Sequence, residues 1–369
     1  MKVLILGGCA DMAVPLVSVL KEDAEVTSVL LADINEEKVK VIAEENGPKF
    51  SFARCDAEET EEVVKLMKEV DAVFCYIGPF YYFEKKLAAC AIEAGTDYIS
   101  IADDYDAYLD VIELDDKARA AGVKILTGFG NSPGLTQILA RKCYNDLKNV
   151  YKINVNWTAG SDEAAGPSNL THLFHIFNGK TLQTFNGEEV WVKTGKGKKP
   201  VEFPEPIGRH HVYYTGHAES VSLPRNLSGL EEATLHGGVK PNYIVKLLKI
   251  MSALGFFKTH KRRAALAKFF YKIEGWFASE GIDKSVGRVD VYGRDGNREQ
   301  YKYCTYVGHI AELTSFPAYL AGKWLFQKKF KDMPGGVYSG EKLLEKPDDF
   351  ISELKALGVE IYESDIQDK

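Results

Sequence analysis

The stretch that decides the fold is Met1–Val14, MKVLILGGCADMAV. The run Val3–Leu6 is continuously apolar, which is typical of a buried parallel strand. It stops at Gly7-Gly8, and a helical pattern begins near Asp11. Small residues let the main chain approach a diphosphate, and a helix N-terminus offers it free N–H groups and the positive end of the helix dipole. This strand, turn and helix therefore predict a dinucleotide-binding domain.

The glycine fingerprint of this turn is incomplete. Aligned to G-x-G-x-x-G, it reads Gly8-x-Ala10-x-x-Ala13, with alanine at the second place, which faces the phosphates. The side chain of Asp11 opposes a diphosphate if it points at it, whereas it stabilises the helix if it caps it. We predict that five residues here contact the nucleotide: Gly7, Gly8, Ala10, Asp11 and Met12.

Asp33 supplies the second part of the signal. It follows a second apolar strand, Val29–Ala32, and stands twenty residues after Ala13. A carboxylate at this position accepts hydrogen bonds from both ribose hydroxyls of NAD and repels the 2′-phosphate of NADP. We therefore predict NAD as the cofactor in preference to NADP. The alternative is an ordinary strand–helix–strand unit in which Asp33 caps the helix that starts at Glu36.

The composition limits the class of protein. A chain of 369 residues suits two domains, and 45% hydrophobic with 27% charged residues indicates a globular protein. The net charge of −7 argues against a nucleic-acid surface. No apolar run approaches the ~20 residues of a transmembrane helix and no signal peptide is evident, so we expect a cytoplasmic protein. The six cysteines lack metal-ligand or C-x-x-C spacing, which predicts free thiols and no metal site.

Strands and helices alternate over residues 1–135. This pattern predicts an α/β fold with an N-terminal Rossmann domain, whose parallel sheet is doubly wound. Ligands of such sheets lie beyond the carboxyl ends of the strands, and Asp56 falls there, at a position where such folds often contact adenine. Other residues predicted at this edge are Gly78, Pro79, Phe80, Asp103, Asp104 and Asn131.

The pattern changes after residue 135. Residues 136–310 contain several segments with strand-like alternation and a helical stretch at about 243–279. They predict a second α+β domain with a mixed sheet. A last helix is expected to begin near Pro317.

Five stretches of the sequence resemble the saccharopine dehydrogenase-like family, which includes saccharopine reductases, lysine 6-dehydrogenases and carboxynorspermidine dehydrogenases. They are KVLILGGCADMA from residue 2, DAVFCYIGPFYYF from 71 with LAACAIEAGTDYISIADD from 87, GVKILTGFGNSPGLTQILAR from 122, LGFF at 254–257 and LTSFPAYLAG at 313–322. The resemblance implies hydride exchange, through an imine, between NAD(P) and a carbon bonded to the amino nitrogen of an amino acid or amino-acid conjugate. It also implies a homodimer. Residues 136–310 would then form an inserted domain for substrate binding and dimerisation, and the segment from about 311 to 369 would return to complete the first domain.

The resemblance assigns roles to residues of the first domain. Gly78–Phe80 would border the nicotinamide, and Asn131 would line the floor of the cleft. Asp103 and Asp104 follow the fifth strand, where relatives place polar groups that face the substrate. A pair of carboxylates there attracts an ammonium group and can accept a proton. The alternative is that both are surface loop acids and that Asp104 or Asp106 caps the next helix.

The inserted domain offers further candidates. His217 and Arg225 follow a strand and could supply a general acid and a clamp for a carboxylate; the alternative is that both fix a loop. His309 precedes the block at 313–322, which returns toward the cofactor in relatives, and is a third catalytic candidate. His172-x-x-His175 has the spacing of metal ligands on a helix, but its apolar neighbours favour a helix face that borders the cleft.

Two questions stay open at this point. The segment Tyr243–Ala278 joins apolar faces to a basic turn, a pattern that also suits an anionic membrane; we favour internal packing or dimer contact, because LGFF recurs in soluble relatives. Two other functions also fit the sequence. One is a non-catalytic or regulatory NAD-binding protein, favoured by Ala10 and Asp11, and the other is a C–N ligating enzyme of the spermidine-forming type.

Overall fold

The computed structural model describes residues 1–160, 162–163, 166–273 and 281–368. The chain forms two compact units. The first consists of Met1–Leu135 and Ala311–Leu343, and the second of Thr136–Ile310 and Leu344–Lys369.

The strands, in chain order, are β1 (Lys2–Leu6), β2 (Ser28–Asp33), β3 (Phe50–Arg54), β4 (Ala72–Cys75), β5 (Asp97–Ser100), β6 (Lys124–Leu126), β7 (Lys152–Ala159), β8 (Lys180–Phe185), β9 (Glu188–Lys193), β10 (Lys199–Glu202), β11 (Arg209–Tyr214), β12 (Glu232–Val239), β13 (Ser285–Asp295), β14 (Arg298–Gly308), β15 (Gly336–Tyr338), β16 (Glu360–Glu363) and β17 (Gln367–Asp368).

The helices are α1 (Val14–Glu22), α2 (Glu36–Asn46), α3 (Thr60–Met67), α4 (Phe80–Ala94), α5 (Tyr105–Ile112), α6 (Asp115–Ala121), α7 (Leu135–Asp146), α8 (Pro167–Ile176), α9 (Glu219–Asn226), α10 (Tyr243–Ala253), α11 (His260–Lys272), α12 (Ile310–Phe326), α13 (Gly340–Leu343) and α14 (Asp348–Ala356). A short 3-10 helix, Asp11–Ala13, precedes α1.

The first unit is built on a parallel sheet of seven strands in the order β15-β6-β5-β4-β1-β2-β3. The order runs outward from β1 in both directions, as in a doubly wound fold. The central strands β1 and β4 are apolar and almost wholly buried, because helices cover both faces of such sheets. The predicted Rossmann fold is confirmed.

The returning segment completes this sheet. Strand β15 pairs in parallel with β6, and the buried helix α12 packs on β4: a Cβ placed on Gly322 would lie 2.4 Å from Cζ of Phe74. This helix begins at Ile310 and contains Pro317, so its predicted start near Pro317 was wrong.

The second unit is built on a mixed sheet in the order β10-β11-β12-β7-β13-β14-β16, to which β8, β9 and β17 attach. Strands β7 and β12 are parallel, whereas β13 is antiparallel to both β7 and β14. The prediction of an α+β unit with a mixed sheet is confirmed.

The end of the chain is placed differently from our expectation. Only residues 311–343 group with the first unit, and 344–369 group with the second. The reason is strand pairing, since β16 lies antiparallel to β14, with Cys304 opposite Glu363 and Val307 opposite Glu360.

The predicted helical stretch at 243–279 consists of α10 and α11, and its last part, with Trp276 and Phe277, lies outside the described residues. Within α10, Val245 and Leu248 are buried, whereas Ile250 and the following Leu254 are exposed. Phe257 stacks on Phe174 with ring centroids 4.7 Å apart. In the part of the chain that the structure describes, no helix is long and apolar enough to cross a membrane.

Candidate functional site

The glycine turn after β1 is shaped by close contacts with the neighbouring strands. Gly7 has a φ of +81°, and a Cβ there would lie 2.9 Å from the carbonyl carbon of Tyr76. The N–H groups of Gly7 and Gly8 both donate to the carbonyl of Ala32, at 2.8 and 3.1 Å. A Cβ on Gly8 would also approach the Cβ of Leu31 to 3.0 Å. Both glycines are therefore required by the turn itself.

The first helical turn begins where the sequence predicts. Asp11 and Met12 lie in the 3-10 helix, in a first turn whose N–H groups lack carbonyl partners within the helix. The residue at the N-cap position is Ala10, which has no capping side chain, so Asp11 is not a cap. Its side chain is exposed.

A series of buried hydrogen bonds holds this turn in place. Ser315 of α12 donates a short hydrogen bond to the carbonyl of Met12, and its hydroxyl lies 2.9 Å from that of Tyr76. Burial raises the pKa of Tyr76, so this phenol stays a neutral hydrogen-bonding group. The sequence marked the block at 313–322 by resemblance, but gave no signal that singled out Ser315.

Asp33 lies at the end of β2, beside the glycine turn. One carboxylate oxygen accepts from the N–H of Cys9 at 3.1 Å, and the other accepts from the N–H of Asn35 at 3.0 Å. Burial and the nearby charge of Asp33 raise the pKa of the Cys9 thiol to about 12, so the thiol adds no second negative charge. The side chain of Lys38 donates to the carbonyl of Cys9 at 3.0 Å. A carboxylate and an ammonium group thus stand at the same turn.

The alternative role of Asp33 as a helix cap is excluded. The N-cap of α2 is Asn35, whose side chain accepts from the N–H of Lys38 at 3.1 Å. The carboxylate of Asp33 instead accepts hydrogen bonds from the main chain of Cys9 and Asn35.

The other predicted nucleotide contacts lie at the same sheet edge. Asp56 follows β3, and its carboxylate accepts from the N–H of Glu58 at 3.0 Å, which orders the turn that leads to α3. Gly78, Pro79 and Phe80 follow β4, and Pro79 is the N-cap residue of α4. Their contacts with adenine and nicotinamide stay predictions.

Asp103 and Asp104 follow β5. Asp104 is buried, and its carboxylate accepts from the N–H of Tyr81 at 3.2 Å. It occupies the N-cap position of α5, but its side chain does not cap that helix. The reading of both residues as surface acids is therefore wrong for Asp104, which instead ties the loop after β5 to the first turn of α4. Asp103 is half-buried.

Asn131 lies in the tightly folded loop that follows β6. A Cβ on Gly134 would lie 2.3 Å from the carbonyl oxygen of Gly130, and the N–H of Leu135 donates to that oxygen at 2.8 Å. Asn131 is buried, and within the described residues its side-chain oxygen has no hydrogen-bond partner. A buried carbonyl oxygen without a donor is costly, so this amide is suited to receive a donor from a ligand.

In the second unit, strand register creates an aromatic row. Trp157 of β7 lies between Gly237 of β12 and Gly287 of β13, and Tyr306 of β14 lies opposite Gly287. A Cβ on Gly237 would lie 2.4 Å from the indole, and one on Gly287 would lie 2.2 Å from the Tyr306 ring. The two glycines leave room for the two rings to lie flat across the sheet.

His217 belongs to this row. Its ring stacks on Trp157 with centroids 5.2 Å apart and an interplanar angle of 5°. Its Nε2 lies 3.1 Å from Nε2 of His172 in α8, so one ring donates a hydrogen bond to the other. His172 thus meets His217, whereas the charge of His175 acts on His260, whose pKa burial lowers. No local sequence pattern predicts this pairing, because the two histidines are 45 residues apart.

A buried carboxylate lies close by. Glu219, at the start of α9, is wholly buried and accepts from the hydroxyl of Thr136 at 2.7 Å. Burial, reinforced by the charge of Glu219, raises the pKa of Tyr306 far above its ordinary value. The Tyr306 phenol therefore stays neutral beside this carboxylate.

Arg225 and His309 occupy other positions. The guanidinium of Arg225 pairs with the carboxylate of Glu189 and donates to the carbonyl of Val221 at 2.6 Å. These contacts fix α9 against β9, which favours the structural alternative over a substrate clamp. His309 is half-buried between β14 and α12. It lies near Glu163, whose pKa burial raises and whose carboxylate accepts from the N–H of Ile310 at 2.9 Å.

Comparison with known proteins agrees with this architecture. Residues 3–126 match the model of the saccharopine dehydrogenase NADP binding domain. A carboxyaminopropylagmatine dehydrogenase from Synechocystis sp. is 25% identical over 375 residues, which cover 91% of each chain.

Solved structures extend the similarity over the whole fold. Apo saccharopine dehydrogenase (L-Glu forming) from Saccharomyces cerevisiae superposes with a TM-score of 0.71 at 14% identity, over 98% of this chain and 99% of that one. Homospermidine synthase from Legionella pneumophila, solved with NAD, gives a TM-score of 0.63 at 15% identity, over 99% and 91%. The predicted resemblance is thus confirmed: residues 3–126 match the model of the saccharopine dehydrogenase NADP binding domain, and the fold of the chain is that of the saccharopine dehydrogenase structure.

Proposed function

We propose that the protein is a pyridine-nucleotide-dependent oxidoreductase that prefers NAD(H) and acts on a carbon bonded to an amino nitrogen in an amino-acid-derived amine. The observation that carries the proposal is the carboxylate of Asp33 at the glycine turn, with each oxygen held by a main-chain N–H. A fixed carboxylate accepts ribose hydroxyls without a further ordering cost, whereas a 2′-phosphate beside it meets like charge.

The relatives support the substrate class. The curated relative is named as a dehydrogenase of carboxyaminopropylagmatine, and the two solved structures are named for saccharopine dehydrogenase and homospermidine synthase. All three names describe compounds with secondary or primary amines derived from amino acids. An imine that forms between an amine and a carbonyl compound, and is then reduced, accounts for this class of reaction.

The residues of the first unit fit a dinucleotide. Gly7 and Gly8 allow close approach of a diphosphate, the first turn at Asp11 and Met12 directs N–H groups at it, and Asp33 binds the ribose. When bound, the nicotinamide supplies or accepts the hydride. Asp103 contributes a carboxylate that attracts a substrate ammonium group.

The histidine pair of the second unit supplies the proton chemistry. His217 holds a proton that it can exchange with a substrate nitrogen, and His172 fixes its tautomer through the Nε2–Nε2 contact. Stacking on Trp157 holds the ring in place. We expect His217→Asn to lower kcat by about 10²-fold or more without a change in NADH affinity. His211→Asn, a change of a half-buried histidine on β11, is the control and should leave kcat unchanged.

The cofactor preference is tested by titration of the protein with NADH and NADPH. Asp33→Ser removes two ribose hydrogen bonds and the repulsion, so NADH affinity should fall by about 10- to 100-fold and NADPH affinity should rise. Because Lys38 stands at the same turn, its ammonium group should support the 2′-phosphate in that variant. Lys38→Ala in the Asp33→Ser background should then reverse the gain for NADPH.

Turnover is tested with NAD and NADP and a panel of amino acids, polyamines and amine–carbonyl pairs, followed by nicotinamide absorbance. Absence of binding of either nucleotide at millimolar concentration would contradict the proposal. Tight binding of NADH without turnover of any amine would instead favour the non-catalytic alternative. The predicted homodimer and cytoplasmic location stay predictions.

A further inference from the structure

We propose that Cys143 and Cys304 form an oxidation site, at which a peroxide converts the two thiols to a disulfide that links α7 to β14. The two sulfur atoms lie 3.1 Å apart, and both side chains are wholly buried. Both residues belong to the second unit. The inference is independent of the proposed activity, since it uses none of the residues assigned to it.

The two thiols are held together by regular structure. Cys143 lies in the second half of α7, and Cys304 lies within β14, opposite Val289 of β13 on one side and Glu363 of β16 on the other. A disulfide bond is about 2.05 Å long, so the sulfur atoms need to approach by about 1 Å. We expect rotation of the two side chains to supply this approach. Among the described residues, no other two cysteine sulfurs are in such contact.

The pair makes a slow oxidation site rather than a fast sensor. The hydrogen bond to Cys304 and burial raise the pKa of Cys143 well above its ordinary value, although the charge of Lys302 opposes this. Thiolates are the reactive form, so these thiols react slowly at neutral pH. Once formed, a buried disulfide is reduced slowly, because a thiolate reagent must first reach one of its sulfur atoms.

An ionic cluster flanks the pair and leads toward solvent. Lys302 donates to Asp146 at 2.6 Å, and Lys142 donates to the same carboxylate at 3.0 Å. Lys302 is buried, whereas Lys142 and Asp146 are half-buried. Because both cysteines are wholly buried, we expect hydrogen peroxide to reach them through a small local opening beside this cluster, and a bulky disulfide reagent to need a larger one.

The chemistry is balanced with peroxide as the two-electron oxidant. One thiol attacks a peroxide oxygen, the O–O bond breaks, and a sulfenic acid and water form. The second thiol then displaces water from the sulfenic acid and forms the S–S bond. Overall, the two sulfur atoms lose two electrons and two protons, and hydrogen peroxide is reduced to two molecules of water.

The test uses the folded full-length protein, treated with hydrogen peroxide well below its Tm. Titrated thiols in the denatured protein should fall from the six free cysteines to four. Peptide mapping without reductant should show the peptide that contains residue 143 linked to the peptide that contains residue 304. The Tm should rise on oxidation, because the link closes a long loop, and dithiothreitol should return it to its starting value.

Substitutions of single cysteines test whether Cys143 and Cys304 are the two residues that form the disulfide. Cys143→Ser and Cys304→Ser should each lose the linked peptide and the rise in Tm, and Cys143→Ala with Cys304→Val provides an apolar version if a serine variant fails to fold. Cys90→Ser, a change of another buried cysteine, should keep both signals. A wild-type protein that retains all six thiols, links a different pair or forms only sulfinic acid would overturn the proposal.

Discussion

Glu84 is a carboxylate buried in the first unit. Three hydroxyl groups donate to it, from Tyr98 at 2.9 Å, Ser100 at 2.6 Å and Thr127 at 2.8 Å. Burial raises the pKa of Glu84, and these hydrogen bonds only partly oppose the effect. The carboxyl group therefore joins α4 to β5 and to the end of β6, and its charge is a cost to the folded state.

This residue predicts a pH dependence of stability. The pKa of Glu84 is higher in the folded protein than in the unfolded chain, where it has its ordinary value of 4.5. The stability that the protonated group contributes is therefore fully present below pH 4.5 and is lost as pH rises through the raised pKa. Between these two pKa values the free energy of unfolding falls by about 1.4 kcal/mol per pH unit. Glu84→Gln cannot ionise, so its free energy of unfolding should improve relative to wild type as pH rises.

Urea unfolding at about pH 4 and at a series of higher pH values measures the difference. Glu93→Gln, a change of an exposed carboxyl group on the same helix, is the control and should follow wild type. Parallel pH profiles for wild type and Glu84→Gln would show that burial does not penalise the carboxylate.

Local residue patterns predicted one part of the site and not the other. Gly7, Gly8 and Asp33 are recognisable because the strand, the turn and the next strand are adjacent in sequence and geometry. The contact between His172 and His217 depends on where α8 lies relative to the end of β11. Hydrophobic periodicity within either segment does not predict that relative position. Glycines at 237 and 287 within strands were a usable signal, since they mark places where a large side chain crosses a neighbouring strand.

At the scale of elements, α12 packs closely on β4 because Gly322 has no side chain at the point of contact. A Cβ on Gly322 would lie 2.4 Å from the ring of Phe74, and Phe74 is wholly buried. Gly322→Ala should therefore lower the free energy of unfolding by about 1–3 kcal/mol through overpacking, although alanine favours the helix.

Two variants separate this clash from other effects. Gly95→Ala changes a glycine at the C-terminus of α4 that has φ +74° and open space around its Cβ position, so it should cost about 1 kcal/mol from backbone strain alone. Phe74→Leu combined with Gly322→Ala should cost less than the sum of the two single changes, because leucine vacates space for the methyl group. Additive costs in urea unfolding would contradict direct packing of these residues.

Helices and strands were predictable where the sequence shows both a hydrophobic periodicity and a residue, such as glycine, that ends the element. Helix α4 ends at Gly95 and α2 at Gly47, as glycine after an amphipathic segment predicts. Helices α5 and α6 are separate, although no proline or glycine near Leu114 marks the break between them. Helix α12 begins at Ile310 and continues through Pro317, which has no N–H to donate to the preceding turn.

At the scale of the whole molecule, the chain crosses between its two units at residues 135, 310 and 343. A boundary near residue 135 was expected from the change of pattern there, and one near residue 310 from the family resemblance. The third was not, because α14 and β16 suit either unit by periodicity alone. Only the pairing of β16 with β14 assigns the end of the chain to the second unit.

This assignment makes the last residues a structural part of the second unit. Strand β16 pairs with the edge of β14 from Cys304 to Val307. Ile361 in β16 and Val359 just before it are both buried. A chain that ends at Gly358 loses both apolar side chains, each worth about 1.5–3 kcal/mol, and leaves the strand edge unpaired. We therefore expect its free energy of unfolding to fall by about 3 kcal/mol or more, with aggregation through the exposed edge.

Urea unfolding and light scattering at equal protein concentration measure the two effects. A chain that ends at Ser364 keeps β16 and loses only the short, exposed strand β17, so it should unfold close to the full-length protein. Equal stability and solubility of the chains that end at Gly358 and Ser364 would show that β16 does not protect β14. The first unit's parallel sheet keeps all seven strands in both truncated chains, so NADH binding should survive wherever the protein stays in solution.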